Sequence, residues 1–339
     1  MYSQSSVSLL PRPPLAALPK TWSLFKLQPQ ASLNLYQPQV PSVSDNVAEM
    51  TNHAACCQLS DGHVVCTVGH LVHTLPEGPP VRGMTLLAGK IYLLRYTARR
   101  DQVKVYDVIT YRLQRCLTVP NARAFIDMTS CEHNRCVYIC DHIVECVHRL
   151  DVQGIFTRWA VNDKPYGLSV NMAHNVIVAC AKVRKMKVFT SHGDLIREIM
   201  LPDDVINPWH AIQTRTGQFI VCYGDRDDPV HRVCMMSDDG RHIVHSHGGQ
   251  PGSDTGQYNV PRHLAVDDNE FVFVADANNC RVTLLSPTLE YVRQVVSRNQ
   301  LKWGPSRLCL DTAQRMLYVI DNEWKDGKYT AGRVVVFSV

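Results

Sequence analysis

The chain has 339 residues, 45% of them hydrophobic and 19% charged, which provides for a sizeable core and excludes a wholly disordered polypeptide. The net charge of +4 is mild, so it neither demands a nucleic-acid partner nor forbids one. No run approaches the roughly 18 apolar residues of a membrane span, and a basic stretch followed by an apolar core is missing near Met1, which argues against a secretory signal.

Residues 1–50 are rich in Pro, Gln and Ser, as in Pro11-Arg12-Pro13-Pro14 and Gln37-Pro38-Gln39, and this composition predicts a disordered leader. Pro11 and Pro14 make one P-x-x-P, a spacing that SH3-type domains bind, although a solvated leader is the plainer reading. Ala55-Cys56-Cys57 and His63–Val68 then flank Ser60-Asp61-Gly62 like the arms of a hairpin.

From there the chain repeats. Residues 83–117 form a loose first copy of a unit that is fullest at Pro261–Val296. In that copy Leu264–Val266, Phe271–Ala275, Arg281–Leu285 and Tyr291–Val296 are short β-forming runs separated by clusters of Asp, Asn, Ser and Pro. Cys136–Asp151 aligns with Phe271–Ser286 without a gap. Pro165 and Pro208 open two more copies, about 43 residues apart, and Pro305 opens the last, about 44 residues after Pro261. A period of 40–45 residues with four strands per unit predicts an all-β fold, a β-propeller of antiparallel four-stranded blades. The last unit stops at Val339 after its third strand, while His70–Leu75 resembles the way other units end. That segment is expected to supply the missing strand and close the ring, giving a propeller over 53–339. Six blades are expected; whether the 55–68 hairpin begins a seventh stays open at this point.

Pro261-Arg262-His263-Leu264-Ala265-Val266-Asp267, followed by Val274-Ala275-Asp276-Ala277-Asn278-Asn279-Cys280-Arg281-Val282, resembles an NHL repeat. The resemblance covers roughly residues 80–339, strongest in that unit and clear in the last. It implies a six-bladed propeller similar to the C-terminal domain of tripartite-motif proteins, some of which recognise ubiquitin-ligase substrates and some RNA.

Three kinds of site compete. The 13 cysteines are odd in number and scattered, several within strand patterns such as Cys180, Cys222, Cys280 and Cys309, the usage of free thiols in a reducing, cytoplasmic setting. Cys131, His133, Cys136, Cys140 and His142 have the residue types of a zinc site but lack C-x-x-C knuckles, and Cys140 falls in a core column. Asp141, Asp276 and Asp321 share one column and could be read as ligands of a metal-dependent propeller hydrolase or lyase; capping of the turn after the second strand is the simpler role. No catalytic motif or cofactor loop is present, so neither an enzyme nor a cofactor is expected. What remains is a binding face. The residues just after each blade opener are Arg82, Tyr166, Trp209, His210, Arg262, His263 and Arg307. The loops between second and third strands add Arg99, Arg100, Lys182, Arg184, Lys185, Arg226, Lys325 and Lys328. Aromatics and arginines on one face suit a protein partner, with RNA as the alternative, and a monomer is expected.

Overall fold

A computed structural model describes residues 58–60, 63–65, 69–97, 102–121 and 123–339. The predicted leader, Ala55–Cys57, and the loop cations Arg99 and Arg100 lie outside the described residues.

The described chain forms six four-stranded antiparallel sheets and one two-stranded hairpin, Gln58–Ser60 with His63–Val65. The hairpin is no seventh blade. Blade 1 comprises Val81–Leu87, Lys90–Arg95, Gln102–Asp107 and Leu113–Thr118; blade 2 Phe125–Cys131, Cys136–Asp141, Cys146–Asp151 and Phe156–Ala160. Blade 3 comprises Gly167–Val170, Val176–Cys180, Lys185–Phe189 and Leu195–Met200; blade 4 Pro208–Gln213, Phe219–Tyr223, His231–Met236 and Ile243–Gly249. Blade 5 comprises Pro261–Val266, Val272–Asp276, Arg281–Leu285 and Tyr291–Val296. Blade 6 takes Gly304–Asp311, Met316–Lys325 and Lys328–Ser338, and its fourth strand is His70–Gly78 from the other end of the ring. First strands of successive blades adjoin one another, blade 6 meeting blade 1, so they line a closed channel.

Second strands are the most buried. Cys136–Asp141, Val176–Cys180, Phe219–Tyr223 and Val272–Asp276 show no exposed residue. A strand covered on both faces needs no polar alternation, which explains their continuous β-branched and aromatic composition. Fourth strands alternate instead, as in Leu195–Met200, because one face meets solvent. The cores lie between blades: Tyr223 of blade 4 packs with Ile199 and Leu201 of blade 3, and Leu75 of the closing strand with Ile91 and Leu93 of blade 1.

The aspartate column fastens loops. Asp141, Asp276 and Asp321 are fully buried, and each accepts hydrogen bonds from the backbone N–H groups of the loop entering its own blade. The donors are Arg123 and Ala124 at 2.7 and 3.1 Å, Asn259 at 2.8 Å, and Lys302 and Trp303 at 2.8 and 2.9 Å. The expected capping of the following turn holds for Asp141, which also accepts from Ile143 and Val144. Asp276 and Asp321 instead pair with Arg281 and Arg333 on the third strand, each at 2.8 Å. Blade 1 inverts the polarity: buried Arg95 donates to the carbonyls of Pro76, Pro79 and Gly332, clamping the closing strand.

The zinc constellation is dispersed. Cys131 and Cys136 face each other at the first hairpin of blade 2, while Cys140 and His142 lie at the opposite end of the second strand. His133 stacks on His174. All ten described cysteines are free, and Cys280 sits in the turn before Arg281, not inside a strand.

Candidate functional site

Two rings of side chains form at the channel mouth, and a β-bulge sorts them. At the opening of blades 1, 2, 4, 5 and 6 the register slips across one residue: Arg82, Ile126, Trp209, Arg262 and Ser306. A bulge re-aims side chains. The slipped residue joins the rim, and the next one turns into the channel.

This sorting corrects the predicted face. Trp209, Arg262, Arg82 and Tyr166 line the mouth as expected. His210, His263 and Arg307, expected to be exposed on the binding face, are 2%, 7% and 7% exposed. They occupy the inward position with Asp127 of blade 2. In blades 1 and 3 that position is glycine: a Cβ on Gly167 would meet the Trp209 carbonyl at 2.3 Å, and one on Gly83 the Met128 nitrogen at 2.8 Å.

Asp127 is the hub of the inner ring. Its Oδ1 accepts from Arg307 Nε at 2.8 Å and its Oδ2 from the Leu168 N–H at 2.9 Å, with His263 Nε2 at 3.8 Å. Arg307 also donates to the Ser306 and Ile126 carbonyls, and His210 stacks on His263 at 3.8 Å. One pair thus links blade 2 to blade 6 across the channel, and an imidazole stack links blades 4 and 5. Burial by itself would raise the Asp127 carboxyl, but the Arg307 guanidinium and the two imidazoles hold it well below the usual carboxylate range.

Asp127, His210 and His263 each present a ligand atom within 4.8 Å of the others, a set that suggests a metal ion. The hydrogen bonds argue against one. The Leu308 N–H donates to His263 Nδ1 at 3.3 Å, so the ring proton sits on Nε2, facing Asp127, and neither nitrogen has a lone pair to give. His210 Nε2 must donate to the Leu168 carbonyl at 3.0 Å, which leaves its buried Nδ1 with a lone pair and no hydrogen-bond partner, a single imidazole nitrogen where a metal would need more. The cation that Asp127 requires is already supplied by Arg307.

Burial foremost presses both channel histidines below the ordinary imidazole range, His210 strongly; for His263 the pull of Asp127 opposes the shift. The unfolded chain takes up these protons near pH 6.5, and the folded ring does so only at lower pH. Stability from this source is therefore fully present above pH 6.5 and declines as pH falls below it. His142, His148 and His247 are shifted the same way by burial. Thermal midpoints should fall between pH 7.5 and 5.5, and the double substitution His210→Asn, His263→Gln should reduce that slope. An unchanged slope would assign the pH dependence to the other three.

Above the inner ring opens a cavity of about 450 Å³. Its rim is a run of ring-on-ring and guanidinium-on-ring contacts that touches all six blades. His142 meets Tyr166 edge to face at 4.7 Å, and Tyr166 meets Trp209 at 5.5 Å. The Arg262 guanidinium lies 4.5 Å from the Trp209 ring and 5.9 Å from Trp324. Arg226 lies over Trp324 at 4.8 Å, and Arg82 bridges Tyr329 and Tyr96 at 5.1 and 5.2 Å. Stacking on a ring face leaves the N–H edge of a guanidinium directed away from the ring, and Arg262 turns that edge toward Asp225 at 3.8 Å.

Trp324 and Tyr329 were not legible as site residues. They stand on an overhang where the second and third strands of blade 6 run past the blade and pair at Trp324↔Tyr329, turning at Asp326-Gly327. Asp326 and Gly327 both have positive φ, 51° and 75°, the geometry of a type I′ turn, and this Asp-Gly pair was the available signal. Asp127 had no signal in its own segment.

The predicted cations divide. Lys182 lines the cavity, whereas Arg184 pairs with Asp203 at 2.8 Å and Lys185 with Glu198 at 3.4 Å. Asp225, Asp227 and Asp228 also line it, so the mouth is not uniformly basic.

Neither a protein-family model nor a curated protein sequence matches the chain. Solved structures do. Hydrazine synthase from Kuenenia stuttgartiensis is 14% identical, with a TM-score of 0.53, covering 75% of this chain and 95% of that one. A catalytically inactive virginiamycin B lyase from Staphylococcus aureus, solved with quinupristin, is 11% identical, with a TM-score of 0.55 over 80% and 98% of the two chains. The Swd1 β-propeller domain from Myceliophteria thermophila is 10% identical, with a TM-score of 0.54 over 80% and 99%. No helix among the described residues is long and apolar enough to cross a membrane. At these identities the likenesses establish a fold, and that fold is the six-bladed β-propeller.

Proposed function

We propose that this chain is a non-catalytic recognition module that binds a protein segment at the channel mouth. The observation that carries the reading is the rim: Tyr166, Trp209, Arg262, Trp324, Tyr329 and Arg82 form one connected surface around a concave centre, with carboxylates interspersed. Trp, Tyr and Arg dominate protein hot spots because they combine large apolar area with directed hydrogen bonding. Partly buried, mutually stacked side chains also lose little rotamer entropy on binding. Asp225, Asp227 and Asp228 would repel phosphates, which sets RNA second. The resemblance to NHL units points the same way by fold-level analogy with substrate-recognition domains of tripartite-motif ubiquitin ligases.

Replacing Trp209 and Arg262 by Ala should leave the fold intact and reduce partner capture from cell extract by about 2 kcal/mol or more, roughly 30-fold. The exposed Arg315, in the turn between the first two strands of blade 6, provides the control: Arg315→Glu should capture the same proteins as wild type. Equal capture by the double variant, or loss of cross-linked RNA with no loss of protein, would overturn the reading.

A further inference from the structure

The overhang of blade 6 separates the central cavity from a second hollow of about 380 Å³ between blades 5 and 6. Arg226, Arg262, Ser306, Asn322, Trp324 and Tyr329 line both. The second hollow adds Arg298 and Lys302 from the loop between the blades, and Trp303 beside them. Its charge differs from that of the central cavity: four cations line it and no carboxylate does.

The neighbouring acids neutralise only part of this. Lys302 is held by Glu77 at 2.8 Å and also lies 4.6 Å from the Trp303 ring. Arg262 leans on Asp225 at 3.8 Å. Arg226 and Arg298 are exposed; Arg226 has its guanidinium over Trp324, and Arg298 meets no carboxylate among the described residues. The hollow therefore keeps an excess of two guanidiniums beside indole and phenol rings. Guanidiniums in such a setting favour planar or tetrahedral oxyanions, which they bind through paired N–H groups.

We propose that this hollow seats an acidic side chain of the protein partner, a carboxylate or a phosphate on a peptide whose neighbouring residues occupy the central cavity. The inference rests on the protein-recognition reading for the second half of that statement and stands on charge complementarity for the first. The aromatic walls lower the local dielectric around the anion, and the open side admits a side chain from solvent. Salt weakens the contact, because the cations are exposed and the screening length is about 8 Å at physiological ionic strength.

The test uses the full chain and three fluorescein-labelled probes read by anisotropy: a hexaglutamate peptide, a peptide with one phosphoserine among neutral residues, and a ten-nucleotide oligouridine. One or both peptides should bind with an affinity that falls as salt rises, and the better one identifies carboxylate or phosphate as the preferred anion. Arg298→Glu should weaken that peptide at least fivefold and Arg226→Glu with Arg298→Glu at least tenfold, while Arg298→Lys, which keeps the charge but loses the paired N–H groups, should fall between wild type and Arg298→Glu. Arg315→Glu makes the same charge change far from the hollow and should alter binding less than twofold. If partner capture ignores Trp209 while the peptides still require Arg298, the hollow stands and the wider reading fails. If peptide affinity is indifferent to Arg298, the proposal is wrong. Tighter binding of oligouridine than of either peptide, lost in the same variants, would overturn it in favour of RNA.

Discussion

Replacing Asp127 by Ala should cost about 3–5 kcal/mol, measured by chemical denaturation, because it strands the buried Arg307 guanidinium. Arg307 sits 7% exposed at the opposite side of the ring closure, and its remaining partners are neutral carbonyls of Ser306 and Ile126. Removing both charges together, as Asp127→Leu with Arg307→Met, should recover most of the loss, since a buried ion pair is often no better than well-packed apolar residues. The pair should also resist acid. A carboxyl held below its ordinary value contributes stability that is fully present above about pH 3.8 and is lost only as pH falls toward the folded value. Acid loss in wild type should therefore begin with the histidines, near pH 6.5, and the Asp127 contribution should disappear last. A single variant that loses less than 1 kcal/mol would mean that Arg307 finds another counter-charge.

Removal of residues 1–78 should have a still larger effect and leave a protein that aggregates. His70–Gly78 pairs with Lys328–Ser338, and without it Val334-Val335-Val336-Phe337 becomes an unpaired edge. Those four residues are essentially unexposed in the closed ring. An uncharged β-branched edge of this kind is a template for association between chains. The Arg95 clamp to the Pro76 carbonyl is lost at the same time. Removal of residues 1–45 retains every ring strand, which begin at His70, and should leave the thermal midpoint within a few degrees of the full chain. Size-exclusion profiles and thermal midpoints of the two truncations decide the matter; identical behaviour would show that the ring does not depend on its closing strand.

Much of the architecture was legible because its determinants are local. Four β-forming runs per unit, punctuated by Asp, Asn, Ser and Pro, specify strands and hairpins through alternation and turn chemistry alone. The missing fourth strand after Arg333–Phe337 pointed to His70–Leu75, and Val334↔Leu75 is indeed a pair in the sheet. Trp209 and Arg262 were found at the mouth because each follows a blade-opening Pro.

The division of roles between neighbouring residues was not legible. Trp209 and His210 both follow the same opener, as do Arg262 and His263, and nothing in their chemistry says which turns inward. The β-bulge decides it, and a bulge depends on the register with the second strand. Asp127 stayed hidden for a related reason: its counter-ion, Arg307, lies 180 residues away in the chain. The sequence by itself determined the four-stranded unit, its turns and its repeat, all set within about 45 residues of chain, and it pointed to the distant segment that closes the ring. Only the tertiary structure decided that Asp127, His210, His263 and Arg307 form a locked network in the channel while Trp209, Arg262, Trp324 and Tyr329 form the rim. Those groups come from blades 2, 4, 5 and 6, and their meeting depends on ring closure, which no local signal encodes.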